Sequence, residues 1–233
     1  MRRIIVGVTG ASGALYAVRT VRALLLSGFE VHLVVSRFGE RLLHDEAGIR
    51  LGSGAIAASF LGGQTMDAPG RIVRHGVAEM GAAISSGSFR TEGMIVVPCT
   101  TRTLSGIACG ASNTLIERAA DVCLKERRPV VLVVREAPLS LVHLRNMAAA
   151  TEAGAAILPA APAFYQKPRS FEDLGDFIAG RALALLGIEH ALFPAWGEPE
   201  EEAGGPAAGR GVRSGRAARP ARPGRRRPPR RPR

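Results

Sequence analysis

Residues 3–17 read RIIVGVTGASGALYA. Arg3–Val8 is β-branched and apolar, the pattern of a strand covered on both faces. From Ala14 to Ser27 the composition is helical, and Gly28 supplies a stop. Between them lies GVTGASG, a tight strand–turn–helix passage. Its glycines let the backbone turn sharply and let a ligand come close, and the following helix offers free N–H groups to an anion. The spacing is GxxGxxG, not the GxGxxG of dinucleotide folds, and the lysine of a P-loop is absent. Such a turn can also serve only to pack helix on strand. The hydroxyls of Thr9 and Ser12 favour a ligand.

The same alternation continues along the chain. Strands are expected at Glu30–Val35, Met94–Val97, Val130–Val134 and Ala155–Leu158. Helices are expected at Phe38–Ala47, Arg102–Cys109, Asn113–Glu126, Leu139–Ala153 and Ser170–Leu186. Ser112 or Asn113 would cap the third of these. Ser170 with Asp173 makes a capping box for the last. Residues 48–92 are less regular and rich in Gly and Ser. Short apolar strands alternating with helices define an α/β, doubly wound, mainly parallel sheet of the Rossmann-like or flavodoxin-like kind. Ligands of such sheets bind beyond the carboxyl ends of the strands. The polar residues that follow strands are Thr9–Gly13, Ser36–Arg37, Cys99–Thr103 and Arg135–Glu136, and all should converge on one edge.

The chain has 233 residues and a net charge of +11. Residues 203–233 carry 11 Arg and no acid, which accounts for that charge; the preceding 202 residues are neutral. The high pI therefore describes a tail dominated by Gly, Pro, Ala and Arg, too poor in apolar residues to bury a core. The expected organisation is a ligand-binding domain over 1–197 and a disordered tail over 198–233. Cys99, Cys109 and Cys123 are odd in number and lack metal-ligand spacing, which suits a reducing cytosol. The apolar run after the basic start is too short for a signal peptide, and no stretch is long enough to span a membrane. A cytoplasmic protein with no bound metal is expected.

The loops suggest a polar site. PCTTRTL, Pro98–Leu104, sets three hydroxyls and Arg102 at a helix start, where a cap needs only one hydroxyl, from Thr100 or Thr101. Arg135 and Glu136 top an apolar strand, and a partly buried carboxylate there could exchange protons. SSGSFRT, Ser85–Thr91, reads as a flexible polar loop that could act as a lid or lie against a planar ring. Cys99 reads as a small buried residue.

In this order, GVTGASG, SRFGE at 36–40, SSGSF at 85–89, PCTTRTLSGIA at 98–108, LKERRPVVLVVREAPLS at 124–140 and PAFYQKP at 162–168 resemble the UbiX-type flavin prenyltransferases over about residues 1–197. The resemblance implies a metal-independent, dodecameric enzyme. It would join a dimethylallyl group from dimethylallyl monophosphate to N5 and C6 of reduced FMN, giving prenylated FMN for a UbiD-type decarboxylase. It further implies that Gly10, Ala11 and Ser12 hold FMN, together with Ser36, Thr100, Thr101, Arg102, Thr103 and Arg135. Lys125, Arg135, Tyr165 and Arg181 would hold the donor phosphate, with Arg118 from a nearby or neighbouring subunit. Glu136 and Ser12 would move protons, and Trp196 matches an aromatic near the end of the family's domain. Here PCTTRTL replaces the family's PCSMKTL or PCSMRTL, so Thr101 stands for a methionine. Arg181 shares a helix face with Ile178 and Leu185 and is expected to be partly buried, so that it needs an anionic partner.

Two other readings stand beside this one. A flavin-dependent cysteine decarboxylase of related fold would carry PASANT in place of PCTTRT, a PxMNxxMW segment, and no basic cage. A nucleic-acid-binding protein would use the arginine tail without specificity. The tail has no aromatic residue for base stacking, which weighs against that use.

Overall fold

The computed structural model describes residues 1–52, 56–62 and 68–194. Trp196 and the arginine-rich tail lie outside the described residues. The strands are β1 Arg3–Val8, β2 Glu30–Val35, β3 Arg71–His75, β4 Met94–Cys99, β5 Val130–Val134 and β6 Ala155–Pro159. The helices are α1 Ala14–Leu26, α2 Arg37–Ala47, α3 Ile56–Phe60, α4 Thr101–Ala108, α5 Leu115–Lys125, α6 Leu141–Glu152 and α7 Phe171–Leu185.

All pairings are parallel and the strand order is β3-β2-β1-β4-β5-β6. The order reverses between β1 and β4, the switch point at which doubly wound sheets open a ligand crevice. Alternation along β1 divides the core: Ile4, Val6 and Val8 face α1, α2 and α7, whereas Ile5 faces α4 and α5. Strands buried on both faces need continuous apolar runs, which is why they were readable from sequence.

Some expectations change. The irregular stretch contains β3, whose RIVRH carries two arginines and is half-exposed because it is an edge strand. Arg71 pairs with the buried Glu30, which also takes hydrogen bonds from Arg3 and His32. Burial pushes the Glu30 carboxyl up, but Arg71, His32 and Arg3 outweigh it and hold it at about 2. β4 runs through Pro98 to Cys99. Helix α5 is capped by Thr114, whose hydroxyl accepts from Glu117 N, not by Ser112 or Asn113. The capping box at Ser170 and Asp173 forms as expected.

Helix α7 is docked on α1. Gly175 has no side chain because a Cβ there would lie 2.7 Å from Arg19 and 2.9 Å from Leu15. Beside it Arg19 makes a two-pronged ion pair with Asp176, with side chains only 20% and 14% exposed. Asp176→Asn would leave a half-buried guanidinium without its charge partner. It should cost about 2 kcal/mol, read by urea denaturation at fixed protomer concentration. An unchanged midpoint would mean that apolar packing alone holds α7.

Candidate active site

The carboxyl ends of β1, β2, β4 and β5 meet at one edge, and hydrogen bonds tie their loops together. Thr9 is buried. Its hydroxyl donates to the Pro98 carbonyl at 2.7 Å and accepts from Thr100 N at 2.8 Å. This hydroxyl staples two loops and does not face a ligand. Ser36 caps α2 by accepting from Gly39 N, and Thr100 caps α4 by accepting from Thr103 N. The Thr100 hydroxyl also donates to that of Thr103 at 3.0 Å. Two of the three hydroxyls in PCTTRTL are thus spent on the helix start. Thr101 is half-buried and Arg102 exposed.

Ser12 is exposed at the rim, and Ala11 beneath it is buried. The Arg135 guanidinium crosses from the end of β5 and donates to the Ser12 carbonyl at 3.1 Å. Gly10 is needed for packing: a Cβ there would lie 2.4 Å from Phe38 Cβ. The first turn of α2 fills the space a side chain would take there.

One residue at this edge escaped the sequence reading. Glu46, near the end of α2, accepts from Gly13 N and Ala14 N, both at 2.9 Å. Its carboxylate also meets the Ser12 side chain. Burial would raise this carboxyl; the N–H groups of Ala14 and Gly13, the Ser12 hydroxyl and Arg135 outweigh it and hold it below the ordinary carboxylate range. The free N–H groups at the start of α1 are therefore already matched by a charge from the same chain. Thirty-odd residues separate Glu46 from Ser12, and only the packing of α2 on the turn brings them together.

Glu136 is exposed, contrary to the expectation of partial burial, and accepts from Ala137 N at 3.1 Å. Cys99 lies beneath the edge, fully buried, its thiol pushed up to about 12 by desolvation. It is a packing residue. Among the described residues no group of three or more His, Cys, Asp or Glu stands close enough to hold a metal, and no helix is long and apolar enough to cross a membrane.

Two of the cations expected to hold the donor phosphate stand apart within one protomer. Lys125 ends α5 and Arg135 follows β5, so the two lie at opposite ends of a five-residue strand, on the order of 15 Å apart. Arg118 donates to the Ser85 carbonyl and pairs with Asp121. Lys125 pairs with Glu126 beside Gly87. Arg181 is exposed, not partly buried, because it projects from the solvent side of α7 while Ile178 points inward. Of the acids that could have paired with it, Asp176 is taken by Arg19 and Asp173 by the helix cap. Tyr165 lies on the loop before α7 with its ring edge-on to Phe177.

The Ser85–Thr91 stretch is pinned. Arg118 holds the Ser85 carbonyl, and Arg128 holds those of Gly87 and Phe89. With its carbonyls turned to arginines, this loop leaves the hydroxyls of Ser86 and Ser88, 3.0 Å apart, at the surface beside Lys125.

A doubly wound sheet whose switch-point edge offers short hydroxyls, the Arg135 guanidinium and the Glu46 carboxylate is suited to a phosphate-bearing planar ring, and a family profile described as Flavoprotein matches residues 1–183. The flavin prenyltransferase UbiX of Pseudomonas aeruginosa is 46% identical over 197 residues, which span 84% of this chain and 94% of that protein. The chain belongs to the UbiX flavin prenyltransferase family. Its fold superposes on a crystal structure of AnUbiX (PadA1) in complex with FMN and dimethylallyl pyrophosphate, with 43% identity, a TM-score of 0.76, and coverage of 85% of this chain and 99% of the other. A dodecameric FMN-dependent UbiX-like decarboxylase from Escherichia coli O157:H7 is 41% identical with a TM-score of 0.72, covering 84% of this chain and all of that one.

Proposed function

We propose that this chain transfers a dimethylallyl group from its phosphate ester to reduced FMN, forming bonds at N5 and C6, and that the product serves a UbiD-type decarboxylase. The observation that carries this reading is the Ser12–Glu46–Arg135 group at the switch point of a chain in this family. The residues fit a flavin. Arg135 supplies a fixed cation, Ser12 an exposed hydroxyl, and the first turn of α4, from Thr101 to Thr103, a short polar floor. Bound reduced FMN would supply the electron-rich N5 and C6.

The protein's share of the chemistry is positioning and charge. Phosphate leaves an allylic carbon poorly, and cations around it stabilise the departing anion through charge-assisted bonds. Arg135 would meet that anion at the edge. Glu46 would hold the Ser12 hydroxyl in place and take up its proton when Ser12 accepts one from the ring. Glu136, at the mouth, is the second carboxylate within this edge.

Arg118, Lys125 and the Ser86–Ser88 hydroxyls form a patch at the far end of β5 from Arg135. A complete phosphate cage would then be assembled from more than one protomer. The dodecameric relative supports such an arrangement. The cysteine decarboxylase reading is weaker, because PCTTRT stands where that class carries PASANT.

Mass spectrometry of flavin recovered after anaerobic incubation with reduced FMN and dimethylallyl monophosphate tests the assignment, with the diphosphate run in parallel. A gain of one C5 unit is expected. Unmodified FMN from both donors, with oxidative decarboxylation of a cysteine-terminated peptide instead, would refute it.

A further inference from the structure

The segment that follows α7 lies back across that helix and forms a row of rings. Tyr165 meets Phe177 edge-on, with centroids 6.1 Å apart and planes at 89°. Phe177 meets Phe193 at 5.0 Å, and Phe193 meets His190 at 4.9 Å. The row ends on Gly180, where a Cβ would lie 2.4 Å from Phe193 and 2.7 Å from His190. Glycine weakens a helix interior, and here it is what lets two rings rest on the backbone. The next residue is Arg181.

The His190 ring is held on two sides. Nδ1 accepts from Leu192 N at 3.4 Å, and the ring rests against the Gly180 backbone. Burial and the adjacent Arg181 charge lower its pKa, against the opposing pull of the Gly180 backbone. At the other end Gln166 Nε2 donates to the Pro194 carbonyl at 3.4 Å, which ties the Tyr165 loop to the same segment. Ile188, 3% exposed, anchors that segment in the core. The helix is already held from its inner side by Gly175, Ile178, Ala182, Leu183 and the Arg19–Asp176 pair. The ring row runs instead from the exposed Tyr165 to the backbone of Gly180, the residue before the exposed Arg181.

We infer that His190 and Phe193 are positioning residues for the donor phosphate, holding the Tyr165 ring and the Arg181 helix turn in one fixed arrangement through the ring row. This rests on the reading that Tyr165 and Arg181 bind the donor. Two groups already fixed relative to each other lose less freedom on gripping an anion than two that move independently.

The experiment uses the full chain loaded with FMN and measures the Kd of dimethylallyl monophosphate by titration calorimetry, with melting temperature and FMN affinity as controls. Phe193→Leu keeps apolar volume and removes the ring edge; Phe193→Tyr keeps the ring; His190→Gln removes the imidazole. Phe193→Leu and His190→Gln should each weaken donor binding by about tenfold with FMN affinity unchanged, and Phe193→Tyr should stay near wild type. Combined with Arg181→Ala, Phe193→Leu should add much less than its own factor, because both act through one unit. An unchanged donor Kd in Phe193→Leu and His190→Gln, or a fully multiplicative loss in the double variant, overturns the inference. If Arg181→Ala alone weakens the donor while these variants do not, only the ring row is refuted. If Arg181→Ala alone has no effect, the donor-phosphate reading falls and the inference with it.

Discussion

Arg135→Ala is expected to lower kcat/KM for prenyl transfer by about 10²–10³, the loss seen when one preorganised charge-stabilising donor is removed. Arg135 does two things at the edge. Its Nε donates to the Ser12 carbonyl at 3.1 Å and so fixes the turn. Its remaining N–H groups make no hydrogen bond among the described residues and can meet an anion, and the positive charge lies close enough to Glu46 to lower that carboxyl. Arg135→Lys separates these roles. A lysine keeps the charge but loses the rigid fork, so it should recover part of the activity and little of the turn geometry. FMN affinity, followed by flavin fluorescence, should weaken in both variants. Turnover in Arg135→Ala within threefold of wild type would remove Arg135 from the site.

The second large effect concerns Glu46→Gln. The amide retains an oxygen for Gly13 N and Ala14 N, so fold and FMN binding should survive. It removes the negative charge that faces the start of α1 and the basic oxygen that meets Ser12. Turnover should drop by about 10²–10⁴, the range of one general acid–base group. The pH profile supplies a sharper readout. The folded-state value of this carboxyl is depressed, so its contribution is present above the unfolded value and is lost as pH falls through the folded one. The wild-type enzyme should therefore keep its activity through the ordinary carboxylate range and lose it only below that. Glu46→Gln should have no such limb. An acid limb that persists unchanged in the glutamine variant would assign it to another group, with Glu136 the first to test.

The strands, most helices and the edge that carries the site were legible in the sequence. A parallel strand covered on both faces is mostly apolar, and VVLVV and the apolar runs of RIIVGV and EVHLVV meet that demand, whereas the buried Glu30 and His32 of EVHLVV need their partners Arg71, Arg3 and His75. Strand ends in such a sheet all point one way, so Ser12, Ser36, Thr100 and Arg135 could be placed on one edge before any coordinates. Family motifs then supplied the chemistry. β3 was not legible, because an edge strand is paired on one side only and tolerates the arginines of RIVRH.

What each polar group at the edge touches was settled by tertiary packing. Spacing alone presented Thr9 and Ser12 as equivalent hydroxyls and left the α4 cap open between Thr100 and Thr101; the fold spends Thr9 on a staple and Thr100 on the cap and leaves Ser12 at the rim. Glu46 carries no local signal, being one of several acids on an amphipathic helix, and becomes part of the site only because α2 packs against the turn. Arg181 shows the converse. Its neighbours in sequence suggested burial, but helical rotation turns Ile178 to the core and Arg181 to solvent. Apolar periodicity reports which face is buried and is silent about contacts between residues far apart in the chain, and those contacts decide where charge is held.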